Sequence, residues 1–296
     1  MTAHQGYEYA EEGSIVSLVV NGLLFIFKIF AGIVGHSNAM IADALDTLGD
    51  TMTSMGMFVG FKIAKRPPDS EHPYGHGKAE SIIAKLLAIF LILLGLKVAY
   101  SSIHVIAISH KTYIPGRIAL IAAIVSIVVK LGLFQYTSLL GKKISSTAMT
   151  VFSWNLAADA LSSLIALVGI AFARGSFGIQ FPMMDPIAAF ILSIFVMKTG
   201  FEGFHRAYDE LMDGAPSQSV IDGIKKIVLM NKSVREIKDV KVRKMGLDLM
   251  IDMTIGVDKN LTVEKGHFIT DVIREDILKK IPTAKDVFIH VEPFLK

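Results

Sequence analysis

Residues 41–50 read IADALDTLGD. The stretch decides the fold because it sits inside an apolar segment, from about residue 39 to residue 61, that is long enough to cross a bilayer. Asp43, Asp46 and Asp50 are three and seven residues apart, so on a helix their carboxylates form one stripe. An ionised side chain near the bilayer centre costs on the order of 2.5 to 3.5 kcal/mol, and nothing in lipid offsets that cost. The stripe therefore requires a partner.

The surrounding composition is that of a membrane protein. Of 296 residues, 52% are hydrophobic and 19% charged, and the mean hydropathy of +0.52 is too high for a soluble domain of this length. A net charge of +3 without a basic run gives no footing for a nucleic acid. The absence of cysteine excludes disulfides and thiolate metal sites, so any metal must be held by oxygen or imidazole. The first fourteen residues, MTAHQGYEYAEEGS, are polar and acidic, unlike a cleavable signal peptide, and the first apolar segment is expected to stay as a helix.

Apolar runs of spanning length fall at about 14–34, 39–61, 82–106, 117–140, 147–173 and 183–203. The link after the second run carries Lys62, Lys65, Arg66 and Lys78, the third link Lys111 and Arg117, and the fourth Lys142 and Lys143. The basic excess marks the second and fourth links as cytoplasmic, and an even number of spans then puts both termini in the cytoplasm of a multi-pass cell-membrane protein. From about Ser217 the pattern changes to short alternating segments, VKVRKM, LDLMIDMTIGV and DVFIHVEPF, around helical patterns at about 217–231 and 262–280. The expected fold is six transmembrane helices over residues 1–211, followed by a small cytoplasmic α+β (ferredoxin-like) domain over 212–296, with MDGAPSQS at 212–219 as linker.

The spacing of Asp46 and Asp50 recurs in SWNLAADALSSL, residues 153–164, where Asn155 and Asp159 are also four apart. Left unpaired, Asp46, Asp50 and Asp159 would cost roughly 8 to 10 kcal/mol. A divalent cation between the two helices would offset this, with three carboxylates supplying anionic oxygens and Asn155 a neutral one. Alternatively the carboxylates bond to Ser and Thr hydroxyls or to Lys28, Lys97 and Lys130, which also fall in apolar runs. These lysines read as snorkelling or pairing groups rather than ligands. Asp43, nearer the outer end, either faces an exit path or caps local polar groups.

The paired motifs, followed by PPDSEHPYGHGKAES at 67–81, resemble the cation diffusion facilitator family. The resemblance implies a homodimeric exporter that exchanges a divalent metal for protons by alternating access. Metal is then substrate, with no prosthetic group. Zinc-transporting members usually have His where this chain has Asn155, and the Asn-Asp-Asp-Asp set resembles the manganese-exporting branch. An all-oxygen site suits Mg, Ca or Mn, whereas imidazole suits Zn. Mn ranks first and Fe second, followed by Zn and Cd.

In the second link, His72 and His76 beside Asp69 make a metal trio, with Pro67, Pro68 and Pro73 restricting the backbone. The resemblance carries a peripheral metal site onto them, and the alternative is that they cap the third helix and bond the loop. It also pairs Lys78 with Asp213. In the cytoplasmic domain the resemblance points to Asp252, His267, His290 and Glu292 as metal ligands, while Lys238 or Asp239 occupies a position where the family often has His. His290 and Glu292, two apart in a strand, face one side. A membrane scaffold whose cytoplasmic domain senses metal to control assembly is the competing function, but a scaffold has no need of Asp46, Asp50 and Asp159 in lipid. Enzymatic function is not expected: a His-Glu metalloprotease pattern and the GxGD signature of intramembrane aspartyl proteases are both absent.

Overall fold

The computed structural model describes residues 3–64, 68–110, 112–143, 147–176, 178, 180–246 and 248–294. Pro67, Lys65, Arg66 and Lys111, and the side chains of Lys62, Lys142 and Lys143, lie outside the described residues. Six long helices come first: α1 (Ala3–Val34), α2 (Asn38–Ala64), α3 (Ala79–His104, prolonged by a π-helical turn at Val105–Ser109), α4 (Arg117–Lys143), α5 (Thr147–Arg174) and α6 (Met184–Leu211). Apolar windows of spanning length occur in α1, α3, α4, α5 and α6. The remaining helix, α2, has 27 residues, or about 40 Å at helical rise, and is the one that carries the aspartates.

Two helices exceed the lengths expected from apolar runs. The backbone of α1 is helical from Ala3, well before the apolar run begins. At the other end of the bundle α6 continues to Leu211, where Lys198–Glu202 and His205–Asp209 pairs at i,i+4 support a polar continuation.

The chain divides into two compact units, residues 1–56 with 86–204, and residues 57–85 with 205–296. In the first, buried small residues such as Ala31, Ala42, Ala122, Ala166 and Ala189 let five helices approach closely. At Gly169 of α5 an added Cβ would stand 2.3 Å from Ala188 Cβ of α6, so only glycine fits that crossing. Leu23, Val128 and Leu161 are each more than 60% exposed, as lipid-facing side chains are. The start of α2 is fixed by α6: the buried Asp185 carboxylate accepts from the Ser37 hydroxyl at 2.6 Å and the Asn38 N–H at 2.7 Å. Ser37 Oγ in turn accepts from the Met40 N–H, the usual N-cap arrangement. This clamp sets the depth at which Asp43, Asp46 and Asp50 enter the bundle.

The second unit contains α7 (Gln218–Leu229), β1 (Val234–Met245), β2 (Asp248–Asp258), α8 (Val263–Lys280) and β3 (Ala284–Phe294), in the order the sequence pattern predicts. The sheet order is β1-β2-β3, with β1 and β2 antiparallel and β2 and β3 parallel. A parallel pair needs a crossover, which α8 supplies. Ile224 and Val228 of α7 and Ile273 and Ile277 of α8 bury against Ile251 and Ile255 of β2. Gly246, at φ +65°, makes the hairpin turn and donates its N–H to Glu210 Oε1 at 2.6 Å.

Candidate metal sites

Within the first unit α2 and α5 bring most of the intramembrane set together. Asp46 Oδ2 accepts from Ser162 Oγ of α5 at 2.6 Å. The Asp50 and Asp159 carboxyls are close enough to share a hydrogen bond. All three aspartates are half-buried, and Asn155, one turn from Asp159, is exposed. Lys130 of α4 is 1% exposed and donates from Nζ to the Asp159 carbonyl at 2.8 Å. Its charge acts on Asp43 most strongly, and on all three of these carboxylates.

Asp43 is a separate case. Its Oδ2 lies 2.8 Å from Lys28 Nζ, an ion pair with neither side chain exposed. The contact lacks the alignment of a hydrogen bond. Oδ1 accepts from Ser163 Oγ at 2.9 Å, and Lys28 donates to Thr47 Oγ1 at 2.9 Å and Ser163 Oγ at 3.1 Å. Of the two readings of Asp43, the capping of local polar groups describes it. The aspartate stripe is thus divided: Asp43 is neutralised by α1, and Asp46 and Asp50 turn to α5. Lys28 and Lys130 pair inside the bundle rather than snorkel, while Lys97 is exposed. Sequence spacing could flag Lys28 as an intramembrane cation, but which carboxylate it meets depends on the packing of α1 against α2.

In the second unit Asp69, His72 and His76 converge. One ligand atom from each lies within 4.8 Å of the others, the only such group of three among the described residues. Asp69 Oδ1 accepts from the His72 N–H at 2.6 Å and the Glu71 N–H at 3.1 Å, and Oδ2 lies 3.3 Å from His76 Nε2. The His72 backbone N–H, above all, holds the Asp69 carboxyl below the ordinary carboxylate range. The loop is therefore ordered around Asp69, leaving imidazole nitrogens beside an anionic oxygen. Lys78 and Asp213 pair at 2.9 Å, and this hydrogen bond lowers the Asp213 carboxyl.

The four residues singled out in the α+β domain are only partly gathered. His290 Nε2 stands 3.6 Å from Glu292 Oε1, but Lys238 Nζ already holds Glu292 Oε2 at 2.6 Å. Lys238, which with Asp239 stands where the resemblance often has His, spends its charge on the neighbouring carboxylate. His267 of α8 lies 3.7 Å from Asp271 and shares with Glu292 the lining of a cavity of about 460 Å³. Asp252 is exposed on β2, in register with Lys241 and Phe288, and does not line that cavity.

Residues 14–212 match the cation efflux transmembrane domain, and residues 216–294 match the cytoplasmic domain of cation efflux proteins. The chain belongs to the cation efflux family. Cation efflux proteins, the cation diffusion facilitators, are transporters and not enzymes, and this member is a multi-pass membrane protein for efflux of divalent metal cations. It is 28% identical to the manganese efflux system protein MneP of Bacillus subtilis, over 99% of both chains. It is also 32% identical to the uncharacterized transporter YdbO of the same organism, over 99% of both. Identity to the magnetosome protein MamM of Magnetospirillum gryphiswaldense is 31%, over 94% of this chain and 86% of that one.

Proposed function

We propose that this cation efflux protein exports Mn²⁺ in exchange for protons by alternating access, with Asp46, Asp50, Asn155 and Asp159 as the transport site. Fe²⁺ ranks second as cargo, ahead of Zn²⁺ and Cd²⁺. One observation carries the reading: Asp46, Asp50 and Asp159 approach one another between two apolar helices while Asp43 is already neutralised by Lys28. Three carboxylates and one amide are hard oxygen donors, suited to Mn over the imidazole-seeking metals. MneP and a second relative, MneS, 28% identical over 99% of both chains, are both manganese efflux proteins. Returning an empty, fully ionised site through lipid is costly, so protons take the metal's place. If metal flux in tight vesicles ignored the pH gradient, proton exchange would have to be given up.

In the same proposal, residues 1–211 form the membrane domain and 212–296 a cytoplasmic domain that pairs two copies of the chain, with both termini in the cytoplasm of the cell membrane. The match to the family's cytoplasmic domain supports the dimer. Asp69, His72 and His76 hold a second metal, and His267, His290, Glu292 and Asp252 serve metal-dependent regulation. His72→Ala combined with His76→Ala is expected to remove one bound Mn²⁺ per chain in equilibrium dialysis, leaving transport at saturating metal largely intact. An unchanged stoichiometry would remove the loop from the set of metal sites.

Asn155 is the residue on which selectivity turns. Asn155→His replaces a neutral oxygen with an imidazole nitrogen, a better donor for Zn²⁺ than for hard cations. If the exchange is worth about 1.4 kcal/mol, the ratio of Mn²⁺ to Zn²⁺ initial rates in proteoliposomes falls about tenfold. An active variant with an unchanged ratio would show that Asn155 does not select the metal.

A further inference from the structure

Four aspartates and two lysines are packed among α1, α2, α4 and α5, and the geometry divides their charges unequally. Lys28 and Asp43 face each other at 2.8 Å with no exposure, and Ser163 and Thr47 complete that pair. Lys130 remains. It is held at the Asp159 carbonyl, 2.8 Å away, and its charge acts on Asp43, Asp46, Asp159 and Asp50 together. Because its bond is to a backbone carbonyl, the ammonium adds charge to the site without occupying a carboxylate oxygen. With all four carboxylates ionised, as a bound metal requires, four carboxylates less two ammonium groups leave two negative charges, the number that one divalent cation cancels.

We propose that Lys130 is a specificity-determining residue, a fixed counter-charge that matches the transport site to a doubly charged ion. The proposal rests on Asp46, Asp50 and Asp159 being the transport site. Without Lys130 the site carries one more negative charge, which favours a trivalent ion of similar size over Mn²⁺. In a bilayer interior, where charges interact at an effective dielectric constant of about 20 or below, one additional charge pair changes relative affinity on the order of tenfold or more. An ordinary structural lysine would not produce this signature, since its loss would weaken binding of both ions alike.

The test uses purified full-length protein, Mn²⁺ binding followed by electron paramagnetic resonance, and Lu³⁺ as the trivalent competitor. The portion of bound Mn²⁺ that disappears in Asp159→Ala defines the membrane site. If nothing disappears, the site assignment itself fails, whatever Lys130 does. At that site Lys130→Met and Lys130→Gln are expected to raise the Lu³⁺ to Mn²⁺ affinity ratio about tenfold or more, and Lys130→Arg is expected to keep the wild-type ratio. An unchanged ratio in Lys130→Met or Lys130→Gln would overturn the proposal. Should both neutral variants fail to fold, adding Asp46→Asn restores the charge balance and is expected to restore folding. Failure of that rescue would equally overturn it.

Discussion

Asp50→Ala and Asp159→Ala are each expected to reduce Mn²⁺ transport to the background of empty vesicles while leaving the protein folded. Each change deletes an anionic oxygen from a site with only three carboxylates, and the two residues are those whose carboxyls meet between α2 and α5. The loss falls on function and not on stability. An intramembrane carboxylate costs about 2.5 to 3.5 kcal/mol to hold, and Lys130 offsets only part of that for three carboxylates, so removing one relieves a cost that bound metal otherwise meets. The melting temperature in detergent should therefore stay level or rise. Normal transport by either purified variant would remove that residue from the transport site.

The second large effect concerns Lys28 and Asp43, and it has the opposite character. Removing one partner of a buried ion pair leaves an uncompensated charge and costs about 3 to 5 kcal/mol. Lys28→Met strands the Asp43 carboxylate, and Asp43→Leu strands the ammonium, in each case with zero exposure to water. Both single variants are expected to melt well below the wild type. The double variant should lie above either one, because replacing a whole buried pair with apolar groups is close to neutral. Transport should follow stability here, since the pair ties α1, α2 and α5 together without supplying a ligand. A double variant no more stable than the singles would mean that Thr47 and Ser163, and not the pair, carry the anchoring.

Much of this architecture was legible in the chain itself. Hydropathy located all six long helices, and alternation located β2 and β3 to within two residues but only the second half of β1, whose first six residues were not expected as strand. The apolar run of α6 stops at about residue 203, and its polar continuation to Leu211 carries no hydropathy signal, although the expected domain boundary at 211 coincides with the end of the helix. The four-residue repeat of Asp46–Asp50 and Asn155–Asp159 pointed to two facing helices, and the Ser162–Asp46 bond joins those helices. What spacing could not give was the sorting of charges. Asp43 belongs to the same stripe as Asp46 by helical geometry, yet Lys28 on another helix claims it. Lys130 likewise reaches the Asp159 carbonyl only because α4 packs against α5. The cytoplasmic residues were the least legible, because exposed histidines and carboxylates on a strand look the same whether solvated, ion-paired or metal-bound. Lys238 bonding Glu292 is a case in point.

Anomalous scattering at the manganese edge, from crystals of the full-length protein grown with Mn²⁺, locates the cargo directly. The expected result is a peak between α2 and α5 within bonding distance of Asp46, Asp50 and Asp159 oxygens, lost in the Asp159→Ala protein while any peak at Asp69, His72 and His76 persists. Manganese bound only at the loop or in the cytoplasmic domain, with the space between α2 and α5 empty in a protein that transports Mn²⁺, would contradict the assignment of the transport site.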